Sequence, residues 1–169
     1  MAAIEPIFDY SSIDITKVVA DLEQLRAMNP QRFEMEQLTA IVYDDPRQQI
    51  CFGYKDVAAD EFWVRGYLPG APRMPEVLVC EAAGQMCSYY VQKHGVAQGK
   101  LGFAGMNDVQ FFERPIFAGE RLLMLGKVLK ARAGMMVVWK FQAYVGRELV
   151  SDGTIRGVVL PASLFAEKA

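Results

Sequence analysis

With 169 residues the chain is long enough for one domain with one sizeable core, and its 52% hydrophobic and 22% charged residues are ordinary globular composition. A formal net charge of −2 offers no basic surplus for nucleic acid or an anionic membrane. Three cysteines (Cys51, Cys80, Cys87), each in an apolar stretch, read as small buried thiols of a reducing compartment, and a single histidine, His94, leaves no metal cluster.

The first residues, MAAIEPIFDYSSID, carry no basic segment followed by an apolar run, so no secretory leader is expected. No apolar stretch is long enough to span a membrane, and the expected setting is cytoplasmic. From Asp14 to Met28 an amphipathic helix is predicted: Ile15, Val18, Val19, Leu22, Leu25 and Met28 recur at helical spacing, and Asn29-Pro30 stops it. Leu38 to Tyr43 reads as a strand, Asp44-Asp45-Pro46-Arg47 as a turn and Gln49 to Tyr54 as the returning strand. Residues 56–75 hold Gly66, Pro69, Gly70, Pro72 and Pro75 and predict an irregular loop. A second helix follows over about 75–94, with Pro75 suited to its first turn and Gly95 to its stop. Four strands complete the chain, Gly102–Phe111, Arg121–Lys130, Met135–Val145 and Leu149–Val159, the last three separated by turns at Ala133-Gly134 and Gly146-Arg147. There is no internal repeat or linker. The order predicts one α+β domain over residues 1–169, an antiparallel sheet wrapped around a long central helix.

That helix carries the candidate chemistry. Val77 to Val91 reads VLVCEAAGQMCSYYV, apolar on every side, which predicts burial. Glu81 is its only charged residue, and Gln85 lies four positions on, on the same face. A carboxylate buried without a partner costs several kcal/mol. Glu81 is therefore either paired with an arginine such as Arg65, Arg73 or Arg114, or placed in a pocket for a purpose. It also lies near the helix start, whose free N–H groups suit an oxyanion.

The segment RGYLPGAPRMPEVLVCEAAGQ, from Arg65 to Gln85, resembles the signature of the 3-hydroxyacyl-[acyl carrier protein] dehydratases, the FabA/FabZ group. Pro30-Gln31-Arg32-Phe33 is similar to that family's Pro-His-Arg-Phe/Tyr. Phe103-Ala104-Gly105, Phe111, Arg114-Pro115, Gly119-Glu120 and Leu122 follow its later pattern in order. The resemblance implies a hot-dog fold, a homodimer (in much of the family a trimer of dimers), and acyl tunnels at the dimer interface. Each site would take a histidine from one subunit and a carboxylate from the other. The histidine removes the C2 proton, the carboxylic acid assists loss of the 3-hydroxyl, and backbone amides at the helix start polarise the thioester carbonyl. No cofactor is implied.

Carried over by position, Glu81 matches the acid, Tyr67 the histidine, Glu76 the glycine at the oxyanion turn and Gln85 the following glutamine, with Val77 and Gly70 also expected at the substrate. Of these site positions, Tyr67 and Glu76 depart from the pattern. Tyrosine, with an ordinary pKa of roughly 10, is a poor general base near neutrality. A glutamate at the helix start suits the helix dipole but opposes a bound oxyanion. His94 falls at the far end of the helix, Cys80 and Cys87 read as core thiols, Phe62 and Trp63 as packing or tunnel wall, and Asp60, Glu61 and Asp108 are unassigned. Three functions follow. The first is a FabZ-like protein binding acyl thioesters of acyl carrier protein or coenzyme A in fatty-acid or polyketide metabolism, dehydrating if Glu81 suffices. The second is a non-catalytic or partner subunit of a heterodimer with a histidine-bearing homologue, and the third is a hot-dog thioesterase.

Overall fold

The computed structural model describes residues 4–97 and 99–164; the expected domain span of 1–169 also includes residues 1–3, 98 and 165–169, which lie outside the described residues. Helix α1 spans Leu22–Met28 and helix α2 Glu76–Lys93. The strands are β1 Ala40–Asp45, β2 Ile50–Asp56, β3 Leu101–Phe111, β4 Arg121–Arg132, β5 Met136–Val145 and β6 Glu148–Val159. They form one antiparallel sheet in the order β1-β2-β4-β5-β6-β3, so β1 and β3 are its edges.

Helix α2 buries residues on every side, from Val79 through Val91, because the sheet curls around it; it packs against β2, β3, β4, β5, β6 and α1. A Cβ on Gly126 of β4 would lie 2.1 Å from the Trp139 ring, so glycine there lets the fully buried indole cross to Tyr90 on α2, 5.4 Å away between ring centroids. This is the hot-dog arrangement implied by the resemblance. Among the described residues no helix is long and apolar enough to cross a membrane.

Two elements differ from expectation in their bounds. The helix expected over 14–28 is confined to Leu22–Met28. Upstream, Val19 and Ala20 donate to Ile41 O at 2.7 and 3.1 Å and Ile41 N donates to Ala20 O at 2.8 Å, so this backbone pairs as a strand bridge with β1. Asp21 then starts the helix with a capping box, accepting from Gln24 N at 2.9 Å. The β-branched Ile15, Thr16, Val18 and Val19 favour extension, and Ile7, Phe8, Tyr10, Ile13 and Ile15 pack instead on the outer face of the sheet, over Phe52, Leu125 and Tyr144. The predicted turn at Asp44 also starts too early. Strand β1 runs on to Asp45, whose carboxylate caps the turn by accepting from Arg47 N at 2.7 Å.

Candidate active site

Helix α2 presents Glu81 one turn and a half from its start, half-buried on the wall of a cavity of about 70 Å³. The other walls come from Gln31, from Leu101–Phe103 of β3 and from Ile155–Gly157 of β6. Gly84 keeps the cavity open, since a Cβ there would stand 3.2 Å from the Phe103 ring. Of the two readings for Glu81, the structure supports the pocket: no ion pair reaches it among the described residues. Arg114 is taken by Glu120 at 2.6 Å and Arg73 lies 3.5 Å from Glu76, while Arg65 is exposed.

Two amides converge on the carboxylate. Gln85 Nε2 donates to Glu81 Oε1 at 2.8 Å and Gln31 Nε2 to the same oxygen at 3.1 Å. Gln85 is itself fully engaged: Nε2 also donates to Met35 O at 2.6 Å, and Oε1 accepts from Gln37 N at 2.8 Å. This buried side chain thus ties α2 to the segment after α1 and fixes the direction of Glu81. The Pro30-Gln31-Arg32-Phe33 motif shapes that segment. Arg32 Nη1 donates to Asn29 O at 2.8 Å and Nη2 to Arg26 O at 3.0 Å, closing the loop over the end of α1. Asn29 Nδ2 donates to Gln85 O at 3.0 Å, docking the loop on α2. Gln31 was the site residue not anticipated from sequence. Its only signal was that it stands where the family motif has histidine.

The Tyr67 loop, residues 57–75, is irregular as expected but pinned. The buried Lys55 pairs through Nζ with Glu61 Oε1 at 2.6 Å, Trp63 is 3% exposed, and Met74 N donates to Ile116 O at 2.8 Å. Tyr67 packs its ring on the core and donates its hydroxyl to Glu76 Oε2 at 2.9 Å. Tyr67 and Glu76, two of the positions that depart from the family pattern, therefore touch, and Arg73 completes a chain Arg73–Glu76–Tyr67 at the start of α2. Within one chain Tyr67 does not line the Glu81 cavity. Val77 is 65% exposed at the helix start, and Gly70 is exposed with φ +90, in the left-handed region that favours glycine.

The remaining candidates lie elsewhere. His94 caps the far end of α2, 3.4 Å from Asp44. Asp108 is exposed in an irregularity of β3 with φ +51. All three cysteines are free and buried, and burial pushes the Cys80 thiol up to about 11 and the Cys51 and Cys87 thiols higher still, so none is an activated nucleophile.

The sheet closed on a buried helix, with a helix carboxylate facing a cavity between that helix and an edge strand, defines a hot-dog protein with a carboxylate-lined pocket. The chain belongs to the FabA/FabZ-like dehydratase family; the family model described as FabA-like domain matches residues 29–154. It is 28% identical over 153 residues to a 3-hydroxyacyl-[acyl-carrier-protein] dehydratase FabZ of Geotalea uraniireducens, covering 88% of this chain and 99% of that one. The FabZ of Pelotomaculum thermopropionicum is 30% identical over 136 residues, covering 80% and 95%. Among solved structures, a chain of the dehydratase heterocomplex ApeI:P from Xenorhabdus doucetiae superposes with a TM-score of 0.68 at 11% identity, over 82% of this chain and 92% of that one. Cj0977, a sigma28-regulated virulence protein from Campylobacter jejuni, gives 0.63 at 16% identity over 88% and 98%. These two likenesses bear on the fold.

Proposed function

We propose that the chain binds an acyl thioester of the 3-hydroxyacyl class, carried on acyl carrier protein or coenzyme A, beside Glu81, and that alone it does not run ordinary dehydration. The observation that carries this reading is the Glu81 carboxylate, held by two amide donors on the wall of a cavity. The resemblance to the 3-hydroxyacyl dehydratases implies a carboxylate in that place, and the relatives above are named for that substrate class.

Ordinary turnover lacks a base. Dehydration needs a group to accept the C2 proton. Tyr67 commits its hydroxyl proton to Glu76, Glu61 is paired with Lys55, and His94 stands at the opposite end of α2. The carbonyl end is altered as well. A carboxylate at the first residue of α2 opposes the charge that builds on a thioester oxygen there, where donors are needed. Dimer formation through β3 accords with this reading: β3 is an edge strand, largely exposed, and displays Phe103, Met106 and Phe111 at 43–50% exposure.

A second reading is favoured by the Tyr67–Glu76 bond, which leaves one half-site silent while Glu81 stays intact. In that case the chain is the partner subunit of a heterodimeric dehydratase, with Glu81 facing a histidine supplied by a homologue. Both readings are tested with the purified protein and crotonyl-coenzyme A. Saturable binding without loss of the enoyl absorbance is expected. Hydration at a rate typical of an enzyme overturns the claim of silence, release of free thiol makes the chain a thioesterase, and absence of binding overturns the assignment itself. Hydration that appears only after co-expression with a histidine-bearing homologue selects the second reading.

A further inference from the structure

The segment before α1 covers only part of the outer face of the sheet, over Phe52, Leu125 and Tyr144. Beyond it, the alternation of side chains fixes what β4, β5 and β6 present outward. Trp139 packs inward on Tyr90 of α2, so its neighbours Val138 and Lys140 face out. Gly126 faces the Trp139 ring, so Lys127 faces out. Ile155 and Gly157 turn inward, Ile155 to within 3.9 Å of a Cβ on Gly84 and Gly157 toward the buried Val137, so Arg156 between them faces out. The register then sets these residues in rows across the strands: Lys127 beside Lys140, Val138 between Lys130 and Arg156, and Met136 between Arg132 and Val158. Lys127 and Lys140 stand directly opposite one another, a like-charge pairing that destabilises a sheet. Lys140 is relieved by Asp152, but no carboxylate of a described residue pairs with Lys127, Lys130, Arg132 or Arg156. A chain of net charge −2 thus gathers uncompensated cations on one face.

We propose that this face docks an acidic amphipathic helix of a partner protein, its apolar stripe on Val138, Met136 and Val158 and its carboxylates on Lys127, Lys130 and Arg156. The apolar strip runs between cations of β4 on one side and of β6 on the other. Neighbouring strands lie about 4.8 Å apart, so the two flanks are separated by about 10 Å, the width of a helix with its side chains. Carboxylates on both sides of an apolar stripe therefore meet both flanks at once. A bilayer fits less well: Val138 and Met136 are half-buried between longer lysine and arginine side chains, where a flat lipid surface does not reach them. Nucleic acid fits less well too, because these rows carry no outward aromatic ring on which a base could stack. Helix α2 with Glu81 lies on the inner side of the sheet, so this docking does not depend on the acyl-thioester reading.

The test is fluorescence anisotropy of a labelled, stapled helical peptide that carries one leucine stripe flanked by glutamates, titrated with the full-length protein at low salt. Saturable binding is expected. A peptide of the same composition with the stripe scrambled should bind about tenfold more weakly, and so should Lys127→Glu/Lys130→Glu protein with the original peptide. That variant should in turn prefer a peptide with lysines in place of the glutamates, which shows that it is folded. Lys130→Gln alone, at an exposed position, should weaken binding by a smaller factor. Absence of binding to wild type, equal binding of the scrambled peptide, or unchanged affinity in both variants overturns the proposal. Tighter binding of a single-stranded DNA oligonucleotide or of phosphatidylglycerol vesicles than of the peptide overturns the choice of a helical protein partner.

Discussion

At the scale of single residues, Gln85 is the side chain on which the site depends. It joins Met35 O, Gln37 N and Glu81 through one amide. Gln85→Leu leaves three polar groups short of a partner in a buried setting, and should lower stability by about 2–3 kcal/mol, measured by urea unfolding. The Arg114–Glu120 pair makes a pH-dependent contribution. Hydrogen bonds from Arg114 chiefly, joined by Phe117 N, hold the Glu120 carboxyl below the usual carboxylate range, against partial burial. A folded-state pKa below the unfolded one stabilises above the ordinary carboxylate range, and that share is lost as pH falls through the folded value. Glu120→Gln should cost on the order of 1 kcal/mol near neutrality and flatten the acid side of a plot of Tm against pH. A variant as acid-sensitive as wild type would contradict the pairing.

Among the elements, α2 was the most legible from sequence, because an eighteen-residue helix that is apolar on all sides has one physical solution, burial within the sheet. Strands β3 to β6 were legible from their length and turns. The segment before α1 was not: Ile15, Val18 and Val19 satisfy a helical spacing, yet the same residues serve an extended strap, and only the bridge to Ile41 and the Asp21 cap decide between the two. Glu81 stood out as a lone charge in an apolar helix. Gln31 did not, since a neutral amide in a polar loop carries no periodicity and its meaning lies in Glu81, fifty residues away. The loop carrying Tyr67 looked loose for its prolines and glycines, but Lys55 and Glu61 pin it. Because Glu61→Ala leaves the buried Lys55 without its carboxylate, it should cost about 3 kcal/mol. The same change should increase hydrogen exchange at Trp63 to Tyr67, whose backbone turn closes through Tyr67 N to Trp63 O at 2.8 Å.

For the whole molecule, the Glu81 cavity lies beside the free edge strand β3, so the proposed site would be completed by pairing of that edge with a second chain. Met106→Lys, on an exposed edge position, should shift the mass seen by light scattering from dimer toward monomer and weaken thioester binding with it. A monomeric wild type that binds thioester as tightly would contradict the shared site. The departures at Tyr67 and Glu76 belong at this scale too, because they act as a pair. Tyr67→His alone would supply a base but leave the Glu76 carboxylate at the first residue of α2, opposing charge on the thioester oxygen. Glu76→Gly alone restores the turn without supplying a base. The most direct measurement is therefore the rate of crotonyl-coenzyme A hydration by the Tyr67→His/Glu76→Gly protein, set beside wild type and both single variants. The account predicts no turnover in wild type, little in either single variant, and clear turnover in the double variant that is abolished by adding Glu81→Gln; efficient turnover by wild type, or a double variant that binds ligand yet stays silent, would contradict it.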